Sequence, residues 1–84
     1  MKNTLNKIKE IIAVPMKEMD IIVAEIDFIK EHQNYFLKIT LDKVNGIDLD
    51  TIVEATNIIN PLLDEYDLIE EEYILDIASK ERGK

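Results

Sequence analysis

Between Leu5 and Met19 apolar residues recur at steps of three and four, as Leu5, Ile8, Ile12, Met16 and Met19; at Ile21 the step drops to two. This change of period constrains the fold more than any other feature, because a helix hides the first pattern along one stripe and a strand hides the second on one face. An amphipathic helix is therefore predicted over Leu5 to Met19, with Asn3 or Thr4 able to cap its start. Pro15 lies inside it. A proline there removes one backbone hydrogen bond and crowds the preceding turn, so a kink near Ile11 or Ile12, or a restart after Val14, is expected.

Ile21 to Lys30 alternates, with Ile22, Ala24, Ile26 and Phe28 on one side and Ile21, Val23, Glu25, Asp27 and Ile29 on the other. The polar stretch Glu31-His32-Gln33-Asn34 leads into a second alternating run, Tyr35 to Asp42, so the two runs predict an antiparallel hairpin. Lys43-Val44-Asn45-Gly46 has the composition of a turn, since Asn and Gly tolerate positive φ. Asp48 can cap a second helix with the stripe Leu49, Ile52, Val53, Thr56, Ile59 and Leu63, ending near Tyr66. Pro61 is expected to kink that helix or to open its last turn. Tyr73 to Ser79 alternates again as a third strand.

The order is α-β-β-α-β, an α+β fold whose three-stranded sheet carries both helices on one face, so that each helix hides its single stripe. A helical crossover from the second strand to the third would make those two parallel. If the first strand lay between them, all neighbours would be antiparallel. The other sheet face, expected to expose Ile21, Val23 and Ile29, would be free for a partner or another copy.

Charge is distributed unevenly along the 84 residues. Residues 1–43 hold seven lysines and seven acids, whereas residues 44–84 hold eleven acids against Lys80, Arg82 and Lys84. Asp64, Glu65, Asp67, Glu70, Glu71 and Glu72 fill six of nine consecutive positions. Such a surface repels phosphate backbones and attracts cations. It suits either of two roles, keeping a small protein in solution or docking a basic protein.

The same residues exclude other classes. With no cysteine and one histidine, thiolate and histidine-cluster metal sites are ruled out. Asp42, Asn45, Asp48, Asp50 and Glu54 surround Gly46, but Val44, Ile47 and Val53 break the ligand spacing of a calcium loop, leaving a turn followed by a helix cap. His32 has no Ser or Cys nucleophile near it in sequence and falls at a hairpin tip. Neither Gly46 nor Gly83 belongs to a phosphate-binding loop, and a basic Gly-x-x-Gly clamp for RNA is missing. We therefore expect a non-enzymatic protein with no cofactor and no metal. The start, Met1 to Lys7, lacks the apolar core of a signal peptide, and no apolar run reaches about 18 residues, so no membrane partner and a cytoplasmic location are expected.

In order and spacing, several strings resemble the N-terminal domain of the bacterial ribosome maturation factor RimP family. These are Ile11-Ile12-Ala13-Val14-Pro15 in the first helix, Ile22 to Phe28 and Tyr35 to Asp42 in the hairpin, Gly46 to Asp50 at the second helix start and Leu63-Asp64 near its end. Tyr73-Ile74-Leu75-Asp76-Ile77-Ala78-Ser79 is similar to the family's tyrosine, any residue, leucine, glutamate, valine, serine, serine. Ala78 departs from that pattern, as do Lys80 and Glu81, where the family has proline and glycine. The resemblance implies one domain over 1–84, without the family's C-terminal domain of the SH3 type. It also implies an assembly factor that binds the immature small (30S) ribosomal subunit and helps a basic small-subunit ribosomal protein to enter it; a monomer is expected, with any RNA contact indirect. The candidate partner-binding residues are Asp64, Glu65, Asp67, Glu70, Glu71, Glu72 and Asp76, the last matching the family's glutamate. The alternative is a self-associating module that uses the exposed sheet face.

Overall fold

The computed structural model describes residues 2–80 and has the order α1 (Lys2–Glu18), β1 (Ile21–Glu31), β2 (Asn34–Lys43), α2 (Leu49–Tyr66) and β3 (Tyr73–Ser79). The sheet order is β1-β2-β3, with β1 antiparallel and β3 parallel to the central β2. Of the two arrangements open to the sequence, the mixed sheet is the one adopted. Residues from both helices and from one face of the sheet form the core, so the α+β fold is as expected.

Ile8, Ile12 and Met16 are buried on α1, four residues apart, with Leu5 and Met19 packed beside them. Burying side chains of this size stabilises a fold by about 1.5–3 kcal/mol each. This helps explain why α1 continues through Pro15 and does not restart after Val14. The proline sits between buried Ile12 and Met16, whose packing offsets a helix penalty of about 3 kcal/mol. The same arrangement recurs in α2, where Pro61 lies between buried Ile59 and Leu63 and the helix runs on to Tyr66. Lys2, Asn3 and Thr4 are already helical, so Asn3 and Thr4 belong to the first turn and do not precede it. At the other end Asp20 takes φ 60 and its N–H bonds the Lys17 carbonyl at 3.0 Å, turning the chain into β1.

The first strand corrects the face expected from alternation. Val23 pairs with Leu41 and Glu25 with Thr40, leaving Ala24 as an extra residue in a β-bulge. Before the bulge Ile21 and Val23 face the core, at 3% and 8% exposure; after it Ile26 and Phe28 do. Ile21 and Val23 are therefore not part of an exposed face. The outer face instead carries Ile22, Ile29, Phe36 and Ile74, the last three in one cross-strand row, with Asp27, Lys38 and Asp76 in the next. Lys38 also reaches Glu31 on that face, with Nζ to Oε1 at 3.9 Å.

His32 takes φ 59 in the two-residue turn of the hairpin and is exposed. Gly46 at φ 86 closes the following turn, its N–H bonding the Lys43 carbonyl at 2.9 Å; an added Cβ would meet nothing within 4 Å, so backbone conformation and not space calls for glycine. Asp48 caps α2 as expected, its carboxylate accepting from the Thr51 N–H at 2.8 Å; hydrogen bonding from the Thr51 side chain first, and from this N–H second, holds its pKa below the ordinary carboxylate value. The buried stripe of α2 is Ala55, Ile59 and Leu63. Leu49 at 76% and Val53 at 51% exposure lie outside it, which corrects the expected stripe at its N-terminal end. The departure at Glu81 lies outside the described residues.

Candidate partner-binding surface

The acidic segment is built around the end of α2. Asp67 adopts the left-handed conformation, φ 46 and ψ 52, and its N–H bonds the Leu63 carbonyl at 2.8 Å. Aspartate accepts this conformation more readily than most residues, so the helix stops here without glycine. Two residues on, Ile69 is buried at 5% exposure and Leu68 is packed against the core. The acidic segment is thus a helix end pinned by an apolar pair. Between that pin and the start of β3, Glu70, Glu71 and Glu72 are held outward.

Asp64, Asp67, Glu70, Glu71 and Glu72 line one open depression of about 570 Å³, together with Leu63, Ile69, Tyr73 and Leu75. Five of the seven candidate residues are therefore neighbours. Glu65 is exposed on α2 but outside the depression, and Asp76 is exposed on the outer sheet face opposite Lys38. Among the described residues none of the seven is in an ion pair, and the sequence holds no Lys or Arg from 44 to 79. No three acidic or histidine side chains converge closely enough to hold a metal ion among the described residues. The carboxylates form a rim, a geometry suited to several separate cations of one partner and not to a point charge.

Tyr73, the first residue of β3, lies in the wall of this depression. Phe28 meets its ring edge-on at 6.3 Å and stacks on Tyr35 at 5.1 Å. Partial burial, then the negative charges of Asp64 and Asp67, raise the Tyr73 pKa above its ordinary 10.0. A raised folded value means that the neutral phenol favours the folded state, a contribution complete below pH 10 and lost as pH rises through the shifted value. In an ultraviolet phenolate titration, the Asp64→Asn/Asp67→Asn double variant is expected to move the Tyr73 titration down only part of the way. A full return to the ordinary value would make charge, not burial, the larger cause.

A second concavity, about 610 Å³, lies between the helices and is lined by Ile11, Val14, Pro15, Ile58, Pro61, Leu62 and Tyr66. Both prolines contribute to its lining. No described helix is long and apolar enough to cross a membrane.

A family model for the RimP N-terminal domain matches residues 11–80, a span from the middle of α1 to just past β3. It covers the hairpin, the capped second helix, the acidic segment and the strand that carries Asp76. The family's role is generally non-enzymatic. The match extends over most of the chain and agrees with the order of its elements, so this chain belongs to the RimP N-terminal domain family, a family of ribosome maturation factors.

Proposed function

We propose that this chain is a non-enzymatic ribosome-assembly domain that binds the immature 30S subunit and a basic small-subunit ribosomal protein in the cytoplasm. The observation that carries this reading is the acidic rim formed by Asp64, Asp67 and Glu70 to Glu72, on a stretch with no compensating Lys or Arg. Ribosomal proteins that enter an RNA particle are rich in cations, and an unpaired row of carboxylates attracts them while disfavouring the RNA itself. Glu65 and Asp76 extend the negative field to the neighbouring α2 surface and sheet face. The chain acts as a single domain over 1–84 and as a monomer in this reading.

Co-sedimentation tests it. The purified chain is expected to travel with precursor 30S particles in preference to mature ones, and its absence from both fractions would overturn the proposal. The second reading, self-association, is favoured by the apolar row Ile29, Phe36 and Ile74 on the outer face, and predicts a dimer in sedimentation equilibrium of the free chain.

A further inference from the structure

The free edge of β3 has a hydrogen-bonding pattern and an electrostatic setting that match one kind of ligand. In the parallel β2–β3 pair, the Lys80 N–H bonds the Leu41 carbonyl at 2.7 Å, in register with Leu41 opposite Ser79. In a parallel ladder, residues that bond the neighbour alternate with residues that point both backbone groups away. The bonded set is thus Ile74, Asp76, Ala78 and Lys80; the outward set is Tyr73, Leu75, Ile77 and Ser79. Among the described residues no group meets the outward N–H and C=O positions.

Edge strands left open are ordinarily blunted by lysine, proline or a bulge. The β1 edge has two of these, the bulge at Ala24 and Lys30. The β3 strand, Tyr73–Ser79, has none of the three. Its inner flank is the acid-lined depression to which Tyr73 and Leu75 contribute, and its outer flank carries exposed Ile74 and Asp76. A strand added there would project alternate side chains over Asp64, Asp67 and Glu70 to Glu72, and the intervening ones beside Ile74. Pairing with a second copy through the same edge would instead set two acidic ridges side by side.

We infer that the β3 edge binds an extended segment of a basic protein by strand addition, with Lys or Arg at alternate positions. This rests on the proposed docking of a basic partner and specifies how that partner is held.

The probe is a seven-residue peptide alternating lysine with valine, added to the 84-residue chain and followed by amide hydrogen exchange. Leu75 and Ile77 are expected to exchange at least about tenfold more slowly with peptide, while β1 amides do not change. Of two peptides N-methylated at alternate residues, on the lysines or on the valines, one should bind like the parent and the other at least about tenfold more weakly, because only one set of N–H groups faces the edge. A glutamate-for-lysine peptide should not bind. Unchanged exchange at Leu75 and Ile77, equal binding of both methylated peptides, binding of the glutamate peptide or no binding at all would each overturn strand addition. So would slowing at these amides in the free chain as it dimerises, which would identify a second copy as the occupant. Co-sedimentation with precursor subunits is unaffected by these outcomes and judges the docking proposal separately.

Discussion

Replacing Leu37 with alanine is expected to destabilise the chain by about 2–5 kcal/mol, measured as a lower urea midpoint with a comparable slope. Leu37 lies on the central strand, is fully buried, and has Phe28 and Leu75 in register on either side. Truncation there leaves a cavity between both flanking strands and the helix layer, with no exposed neighbour able to fill it. A chain of 84 residues commonly has only roughly 4–12 kcal/mol of stability, so this loss is a large part of the whole. Val53→Ala supplies the contrast. Val53 belongs to the helix stripe that periodicity suggested but is half exposed, and its truncation should change stability by no more than about 0.5 kcal/mol. Similar losses from the two substitutions would mean that the core is wrongly drawn.

The contrast marks where the sequence was legible. On α1 Leu5, Ile8, Ile12, Met16 and Met19 keep one spacing of three and four from end to end, so the buried Ile8, Ile12 and Met16 could be placed on one stripe directly. On α2 the stripe turns on Ala55, whose small side chain gives a weak signal beside Leu49 and Val53. In β1, Ile21, Ile22, Val23 and Ala24 are all apolar, so alternation could not reveal that a bulge at Ala24 changes which parity faces inward. That shift is fixed by pairing with β2, a long-range property. The acidic residues of the site were visible as a run, but Leu68 and Ile69 were not recognised as the pin that shapes it. Tyr73 became part of the site only through the fold, which brings the start of β3 beside the end of α2.

Substituting Glu70, Glu71 and Glu72 together with lysine is the second large effect expected. The three side chains are exposed and, among the described residues, outside any ion pair, so the folded state should be retained, with an unchanged circular dichroism spectrum. The field at the depression, however, loses three negative charges and gains three positive ones. Association with a basic small-subunit protein should slow by on the order of tenfold or more at low salt, because complementary charge acts mainly on encounter. Added salt should narrow the gap between native and substituted chains, since screening removes the advantage of the native carboxylates.

The most direct measurement is the affinity of the native and triply substituted chains for precursor 30S particles across a series of salt concentrations. The native chain should bind more tightly at low salt and weaken steeply as salt rises, whereas the Glu70→Lys/Glu71→Lys/Glu72→Lys chain should bind weakly throughout with a much shallower dependence. Equal affinities with the same salt slope would contradict the assignment of the acidic rim as the docking surface.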